Sequence, residues 1–585
     1  MIKVDNLSYS FPQKDLYDKI SFTLEEGQHC AFIGSIGSGK STLVDMLMDP
    51  EKYLFDGKLE IESNCRIGYL SQFSQLDKTK EITVFEYIGE DFIKLQNELS
   101  SICAKMETSL NPDSLLEEYQ KALDAFDAIG GNDFESNIQK KLNLANLIKQ
   151  KNLKVSELSG GEFKLIQVIK EMLTSPDLII MDEPDVFLDF ENLRALKNLI
   201  NSHKGIMLII THNRYLLNHC FNKIIHLENM HLQEFDGRYI DYNFSLLQRK
   251  IELQELAIAD TEEIERNEIL IDKLRFIATN NADAARGKSL YARVKYQERL
   301  EARRIAAPFV DMKQTDISLA TDNNIEETVV LKVNDYSVSF DDILLENVNF
   351  EIKSTDKVAL IGSNGTGKTT FLREIFENIH AAIEINENVE VAYLSQFQGE
   401  MLNESNTIFE EFYDVGFKTV EEITSYIANY GFDPSAVSQK IGTLSGGERN
   451  ILQLAKVSVG KANLLLLDEP TSHLDTRSQI ALEKAITNYN GAILMISHDF
   501  HSIVNCMDYV LMIENKTIRK VSMRKFRKMT YANHFDRDYL ELEQKKMLIE
   551  TKIESALKDS DFALAKVLSE ELEGLNNQLQ IVYSK

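Results

Sequence analysis

The chain contains one ordered series of short motifs twice, and this duplication restricts its fold more than any other feature of the sequence. Three positions of the series keep a constant separation of 286 residues between the copies: Ser159 and Ser445, Glu183 and Glu469, and His212 and His498. One short motif often matches by chance, but an ordered series repeated at a fixed offset very rarely does. The sequence therefore predicts two copies of one nucleotide-handling domain.

The bulk composition is that of an ordinary soluble protein. The chain has 585 residues, of which 43% are hydrophobic and 27% are charged, which is enough for three or four domains. No segment approaches the roughly 18 uncharged apolar residues of a membrane helix, and the N-terminal residues lack the apolar core of a signal peptide, so we expect a cytoplasmic protein. The five cysteines form no CxxC pair, so neither a disulfide framework nor a zinc site is indicated.

Two blocks of the chain, residues 1–236 and 328–522, begin with short alternating strands and continue with a buried strand that leads into a glycine loop. The apolar runs DLIIMDEP, GIMLIITHN, NLLLLDEP and GAILMISHD have the length and continuity of buried parallel strands. Polar residues follow these runs, at the edge where open α/β sheets place ligands. The predicted fold class is α/β, with two tandem P-loop domains, and we assign a helical subdomain of the first to about residues 73–175.

The segments outside the two blocks are predicted to form helical hairpins. In the linker, residues 237–327, a long helix over 242–278 is followed by a polar break and a return helix over 290–306. The break and return helix are basic, although the formal net charge of the whole chain is -28. Residues 523–585 hold a basic segment and two apolar stripes around the turn KDSD, which predicts a second hairpin.

The glycine loops GSIGSGKS and GSNGTGKT both satisfy the pattern GxxxxGK[ST], and each follows an apolar strand. Glycines allow backbone amides to surround a β-phosphate, and the lysine reaches the β and γ oxygens. The predicted phosphate-binding residues are Gly34, Ser35, Gly37, Ser38, Gly39, Lys40, Ser41 and Thr42, and in the second copy Gly362, Ser363, Asn364, Gly365, Thr366, Gly367, Lys368, Thr369 and Thr370.

Oxygen-bearing side chains in both copies are candidate Mg²⁺ ligands. They comprise the loop hydroxyls, an aspartate at the end of an apolar strand and a glutamine in the repeated segment YLSQF: Ser41, Asp182 and Gln72, and Thr369, Asp468 and Gln396. A lone glutamine would be unremarkable, and only the repeated context supports this role. The sequence thus predicts ATP with Mg²⁺ at each copy.

The remaining repeated residues fit ATP hydrolysis. Glu183 and Glu469 are placed to polarise an attacking water, and His212 and His498 to contact the γ-phosphate. The two LSGGE segments offer a hydroxyl and backbone amides at a predicted helix start; their candidate binding residues are Ser159, Gly160 and Gly161, and Ser445, Gly446 and Gly447.

This combination resembles the ATP-binding-cassette ATPases, and two fused cassettes with a charged helical linker resemble the ABC-F subfamily. The resemblance covers roughly residues 1–522. It implies a head-to-tail sandwich in which each ATP lies between the glycine loop of one cassette and the LSGGE segment of the other. It also aligns Phe11 and Phe340 with the aromatic residue that stacks on adenine.

The implied composite sites combine residues from both copies. Site one would join Lys40, Gln72, Asp182, Glu183 and His212 to Ser445, Gly446 and Gly447. Site two would join Lys368, Gln396, Asp468, Glu469 and His498 to Ser159, Gly160 and Gly161.

The first copy departs from the subfamily pattern. The second cassette reads DEPTSHLD, close to the usual DEPTNHLD, but the first reads DEPDVFLD, with Asp185, Val186 and Phe187 in place of Thr, Asn and His. Ile36 also stands where the second copy has Asn364. We therefore expect two competent sites with unequal rates.

The resemblance further implies that the ATP-loaded protein binds the ribosome, that its linker hairpin enters the exit-tRNA site, and that hydrolysis releases it. Basic residues at the hairpin tip and return helix fit contact with RNA phosphates, and the candidates are Arg286, Lys288, Arg293, Lys295 and Arg299. From the residues alone, a solvated charged helix is the alternative. A monomer containing one intramolecular cassette pair is expected.

Several alternatives stay open. The chain has 38 more residues between Gln72 and Ser159 than between Gln396 and Ser445, and they form either an arm that binds a ribosomal protein or, as we prefer, a longer helical lid. The basic run 516–528 either contacts rRNA or caps the fold. The competing function is the ATPase component of a membrane transporter with separate membrane subunits. If the protein acts on the ribosome, the sequence does not distinguish a housekeeping translation factor from an antibiotic-resistance factor.

Overall fold

The computed structural model describes residues 2–11, 14–62, 65–71, 81–108, 113–174, 176–186, 188–280, 291, 293–296, 316–319, 321, 328–339, 343–396, 398–533 and 537–583. It divides into two compact units. One unit comprises 1–236 with 313–534 and holds both cassettes, and the other comprises 237–312 with 535–585.

The first cassette contains a three-stranded antiparallel sheet of order β2-β1-β4 and a six-stranded sheet of order β5-β6-β7-β3-β8-β9. The strands of the second sheet are parallel except for the edge strand β9. The strand bounds are β1 Ile2–Phe11, β2 Lys14–Leu24, β3 His29–Ile33, β4 Asp56–Ile61, β5 Ile67–Leu70, β6 Leu178–Asp182, β7 Ile206–Ile210, β8 Lys223–Glu228 and β9 His231–Asp236.

The second cassette repeats this topology. Its sheets have the orders β11-β10-β13 and β14-β15-β16-β12-β17-β18, and β18 is the antiparallel edge strand. The bounds are β10 Val329–Ser339, β11 Ile343–Lys353, β12 Lys357–Ile361, β13 Ile383–Ile385, β14 Val391–Leu394, β15 Leu464–Asp468, β16 Ala492–Ile496, β17 Tyr509–Glu514 and β18 Thr517–Ser522. The predicted α/β fold of two tandem P-loop cassettes is confirmed.

The helices of the cassettes flank the sheets. In the first cassette they are Lys40–Met48, Val84–Ile88, Glu90–Thr108, Asp113–Ala128, Phe134–Leu144, Gly160–Leu173, Phe190–Ser202 and Arg214–His219. In the second they are Lys368–Glu377, Gln398–Met401, Ile408–Asp414, Val420–Ala428, Gly446–Val459, Thr476–Asn488, Phe500–Cys506 and Met523–Asn533.

The central strands are buried from end to end. All five residues of β6 and all five of β15 are buried, as expected of parallel strands covered by helices on both faces. Each cassette has its own apolar core between its sheets and helices. This arrangement aligns the carboxyl ends of β3, β6 and β7 at one edge of the sheet, where the repeated polar motifs begin.

The 38 additional residues of the first cassette fall in its helical region. The helices Glu90–Thr108 and Asp113–Ala128 are longer than Ile408–Asp414 and Val420–Ala428 of the second cassette. Phe92 and Phe134 stack in parallel with ring centroids 5.0 Å apart. The added residues thus lengthen the helices of this region.

The second unit is built from helices. The linker helix Tyr239–Asn280 is longer at both ends than the predicted 242–278, and the C-terminal hairpin consists of Arg537–Lys558 and Phe562–Tyr583. Ile251 of the linker helix packs in one apolar core with Ile549, Ile553 and Leu572 of the hairpin. The predicted C-terminal hairpin is confirmed, and its apolar stripes pack against each other and the linker helix.

Part of the return helix of the linker is described. Residues 293–296 are helical, and the amide of Asn267 donates a hydrogen bond of 3.2 Å to the carbonyl of Arg293. Asn267 is 2% exposed, so this contact joins the two linker segments at a buried position. The tip, 281–290, lies outside the described residues. Among the described helices, none is long and apolar enough to cross a membrane.

We expect Ile553→Ala to destabilise the second unit, because Ile553 is fully buried in its core. Removal of a buried isoleucine side chain costs about 2–5 kcal/mol. Ile581→Ala on the same hairpin is the matched control, since Ile581 is 63% exposed. Hydrogen exchange of peptides from 537–583 measures the local free energy of opening; equal loss in the two variants would contradict this core.

Candidate functional site

The two glycine loops have the same geometry. Each loop ends in a glycine in the left-handed region, with φ of 100° at Gly39 and 88° at Gly367, immediately before its helix. The ammonium of Lys40 donates hydrogen bonds of 2.8 and 3.0 Å to two carbonyls of its own loop, and Lys368 does so at 2.7 and 3.0 Å. Both lysines are therefore held over their loops, as phosphate binding requires.

Additional side chains that the sequence did not single out support the first loop. The hydroxyl of Tyr17 donates a 2.5 Å hydrogen bond to the carbonyl of Gly39. Both the hydroxyl and the backbone amide of Ser35 donate to the carboxylate of Glu228, at 2.6 and 3.1 Å. His226 lies 3.4 Å from the same carboxylate. These contacts depend on neighbouring strands, which no local pattern identifies.

Oxygen ligands suited to Mg²⁺ lie beside each loop. The hydroxyl of Ser41 is hydrogen-bonded to Asp182, whose pKa is raised to about 6 by burial and by Glu183, against the effects of Ser41 and Lys40. Asp468 is 1% exposed at the matching strand end. Hydroxyl and carboxylate oxygens are the ligands that Mg²⁺ prefers, and a divalent cation would balance the buried acids, so the residues fit this ion. Gln396 is half-buried just beyond β14, while Gln72 lies outside the described residues.

The glutamates that follow the two aspartates share an unusual backbone conformation. Glu183 and Glu469 have φ of 48° and 50°, in the left-handed region. The amide of Glu183 donates to the carbonyl of Ile210 at 2.9 Å, and that of Glu469 to Ile496 at 3.0 Å. A strained turn stabilised by a neighbouring strand is typical of functional positions.

The surroundings of the two glutamates differ. The carboxylate of Glu183 is hydrogen-bonded to Nδ1 of His473, from the other cassette, at 2.7 Å. Burial opposes ionisation of Glu183, but His473, His212 and Lys40 outweigh it and lower its pKa to about 2. Glu183 is therefore held ionised by a residue of the second copy. His473 was not predicted as a site residue, although DEPTSHLD and DEPDVFLD differ at this position.

The pKa of Glu469 is shifted in the opposite direction to that of Glu183. Burial and the adjacent Asp468 raise its pKa to about 8, while Lys368 and the amide of His498 act against this rise. The amide of His498 donates to its carboxylate at 3.3 Å, and Oε1 has no hydrogen-bond partner among the described residues. Phe187 occupies the position in the first copy that matches His473, and it lies outside the described residues.

His212 and His498 both lie next to these glutamates as neutral imidazoles. Burial and the nearby lysines lower their pKa values, to about 4 for His212 and about 3 for His498. Nδ1 of His498 is buried without a hydrogen-bond partner in the described part of the chain. A neutral imidazole has one donor and one acceptor nitrogen, which suits contact with a phosphate oxygen.

The LSGGE segments begin their helices with reciprocal caps. The hydroxyl of Ser159 accepts from the amide of Glu162 at 3.3 Å and donates to its carboxylate at 2.8 Å. Ser445 and Glu448 repeat the arrangement at 3.3 and 2.7 Å. The capping box explains why each helix begins at the first glycine of the segment.

Each LSGGE segment faces the glycine loop of the other cassette. A Cβ atom added to Gly161 would lie 3.0 Å from the side-chain amide nitrogen of Asn364. One added to Gly447 would lie 3.0 Å from the side chain of Ile36. The backbone amide of Ile36 also donates to Asp475 at 3.3 Å. The structure thus brings together the two halves that the resemblance pairs in each site.

A partly buried ion pair forms a contact between the cassettes that has no counterpart in the other copy. Arg214, two residues after His212, donates to Glu483 at 2.8 Å, and the side chain of Glu483 is 3% exposed. The positions that match these residues in the other copy are Phe500 and Lys197, which cannot form the same pair.

The predicted aromatic and RNA-contact residues are only partly described. Phe11 is 43% exposed, with its ring edge-on to Tyr9 at 5.2 Å. Arg293 donates to Asn267 at 3.2 Å, and the ammonium of Lys295 lies 5.9 Å from the ring centroid of Tyr291. The predicted residues outside the described part are Phe340, Arg286, Lys288 and Arg299.

Comparison with known proteins agrees with this geometry. The ABC transporter family profile matches residues 17–186 and 345–472. YfmM of Bacillus subtilis, an uncharacterized ABC transporter ATP-binding protein, is 29% identical over 85% of this chain and 95% of its own. The energy-dependent translational throttle protein EttA of Mycobacterium tuberculosis is 28% identical over 83% of this chain and 86% of its own.

A solved structure supports the fold alone. The archaeal ribosome recycling factor aABCE1, solved with the ribosomal stalk protein aP1, is 15% identical, has a TM-score of 0.53, and covers 90% of this chain and 92% of its own.

EttA is an ABC-F protein, which confirms the resemblance to that subfamily. With two family segments, the repeated glycine loops and the crosswise LSGGE contacts all present, the chain belongs to the ABC transporter family of ATPases.

Proposed function

We propose that the protein is an ABC-F ATPase with two composite ATP sites that binds the ribosome when loaded with ATP. The observation that carries the two-site proposal is the crosswise approach of each LSGGE segment to the opposite glycine loop. A nucleotide held in that gap bridges both cassettes. Binding then favours the closed pair, and hydrolysis removes the bridge.

In site one, the residues of this chain bind and orient the substrate. The amides of the glycine loop and Lys40 hold the β- and γ-phosphates, and His212 contacts a γ-oxygen. Ser41 and Asp182 would hold Mg²⁺, which when bound neutralises charge on the phosphate oxygens. Gly447 and its neighbours close the site from the other cassette.

Glu183 orients the attacking water and accepts its proton in the proposed reaction. An ionised carboxylate is required for this role, and the hydrogen bond from His473 both keeps the charge and fixes the oxygen position. Because His473 belongs to the second cassette, Glu183 is positioned only while the cassettes are together. Site two lacks a matching histidine and depends on Glu469 and His498 of its own cassette. We therefore propose unequal rates for the two sites.

The ribosome is proposed as the partner on two grounds. EttA, whose name places it in translation, aligns over most of both chains. The linker helix of 42 residues and its return segment provide a hairpin that an ATPase core alone does not require. We propose that this hairpin acts at the exit-tRNA site and that hydrolysis at the cassettes releases the protein.

The proposed role of Glu183 and Glu469 predicts trapping on the ribosome. With ATP, the Glu183→Gln, Glu469→Gln chain should bind ATP without cleaving it and sediment with ribosomes, while the parent chain with ADP should remain unbound. Sucrose-gradient sedimentation measures the bound fraction. Absence of the variant from ribosomal fractions, or its recovery with membranes, would overturn the proposed partner.

Single-site chains test the asymmetry. We expect Glu183→Gln and Glu469→Gln to lower ATP turnover by different factors. In the Glu469→Gln background, where site one remains, His473→Phe should lower kcat about tenfold with a smaller change in KM, because loss of a hydrogen bond to a charged group costs about 1.5 kcal/mol.

The same His473→Phe change in the Glu183→Gln background is the matched control, because only site two remains there. Its turnover should change less than twofold. An equal loss in both backgrounds would show that His473 acts on folding or closure in general and not on Glu183.

A further inference from the structure

A dense group of cations lies at the end of the second cassette. Residues 516–528 contain seven Lys or Arg and no acid, in a chain whose formal net charge is -28. They cover the edge strand β18 and the first half of the helix Met523–Asn533. We name the cations of this run the basic surface: Lys516, Arg519, Lys520, Arg524, Lys525, Arg527 and Lys528.

Most of the basic surface is exposed to solvent. Arg524, Lys525 and Lys528 are exposed on one side of the helix, while Phe526 on its other side is 2% exposed. These three cations form no ion pair with any residue that the structure describes, whereas Arg519 is paired with Glu514 at 3.0 Å. Their charge therefore stays largely uncompensated.

The fold itself does not require this charge. The matching residues of the first cassette, 230–242, contain one Arg and three acids, and so carry a net charge of -2. Charges on an edge strand prevent unwanted strand pairing, but Glu234 and Asp236 of β9 do this in the first cassette with the opposite sign. Edge protection or end-capping thus explains neither the sign nor the number of the cations.

The apolar residues of the segment exclude a lipid-inserting helix. A helix that lies in a membrane surface presents large apolar side chains to the lipid. Here Val521 and Phe526 are each 2% exposed, and Arg527 donates a 2.9 Å hydrogen bond to the carbonyl of Val504. The segment is fixed to the cassette by its apolar side, and its fully exposed side chains are cations and small polar groups.

We infer that the basic surface binds the phosphate backbone of RNA, as a second contact separate from the linker hairpin. This inference rests on the proposed ribosome partner. An acidic protein binds RNA only where local cations neutralise the phosphates of the RNA. Each such contact releases counterions from the RNA. A cluster of cations on a strand and a helix follows a backbone without reading its bases.

The experiment uses the Glu183→Gln, Glu469→Gln chain with ATP and measures its Kd for ribosomes against salt concentration. Adding Arg524→Gln, Lys525→Gln and Lys528→Gln should weaken binding at least tenfold. The slope of log K against log salt should fall by about 2, since each phosphate contact contributes about 0.7–0.9. Circular dichroism and thermal melting confirm the fold of the variant.

A matched control removes the same charge elsewhere on the same unit. Lys3, Lys58 and Lys418 are exposed, and their joint replacement by Gln should leave Kd and the salt slope near those of the starting chain. Unchanged binding in the basic-surface variant, or equal losses in both variants, would overturn the inference.

Failure of the proposed function gives a different result, in which the starting chain itself does not bind ribosomes. Binding to a fluorescent RNA duplex then decides the inference: loss only in the basic-surface variant supports an RNA surface, and absence of binding by the starting chain overturns it. Vesicles of phosphatidylglycerol form the third arm. Binding to them that the basic-surface variant loses, without RNA binding, would assign the surface to membranes instead.

Discussion

Burial of negative charge at the carboxyl ends of the central strands is the constraint on which both sites depend. Asp182 and Asp468 are nearly inaccessible, and each is followed at once by a glutamate, half-buried Glu183 or buried Glu469. Such charges are costly unless cations or hydrogen-bond donors lie close to them. A lysine above the loop provides part of this compensation in each copy. In site one, His473 of the opposite cassette adds to this compensation, and in the proposed reaction a divalent cation adds to it in both sites.

The duplication preserves geometry more strictly than electrostatics. The loops, lysines, strained glutamates and capped helices match within a few tenths of an ångström in their hydrogen bonds. Compensation of charge does not match, because Glu183 has His473 of the other cassette as a partner, whereas the charged and hydrogen-bonding groups that act on Glu469 among the described residues belong to its own cassette. The ionisation of Glu183, the proposed base of the first cassette, therefore depends on the second cassette. The ionisation of Glu469 does not depend on the first cassette in the same way.

The sequence was sufficient for features that depend on local spacing. Apolar runs of five residues, the two glycine loops and helical apolar stripes such as Leu542, Ile549 and Ile553 each identify an element without knowledge of its neighbours. Contacts between segments that are distant in the sequence could not be predicted. His473 and Glu183 are 290 residues apart, and nothing in the pattern of either segment reveals their contact. Tyr17 and Glu228 were missed for the same reason.

The reciprocal caps of the LSGGE helices have a consequence for nucleotide binding. The hydroxyl of Ser159 has one hydrogen to donate, and its acceptor is the carboxylate of Glu162. A phosphate oxygen that takes this hydrogen must displace Glu162, which then loses part of its hold on the first turn of the helix. Phosphate and carboxylate thus compete as acceptors for one hydroxyl hydrogen. Binding of a nucleotide between the cassettes therefore weakens the cap that stabilises the first turn of the helix. The same trade-off applies to Ser445 and Glu448.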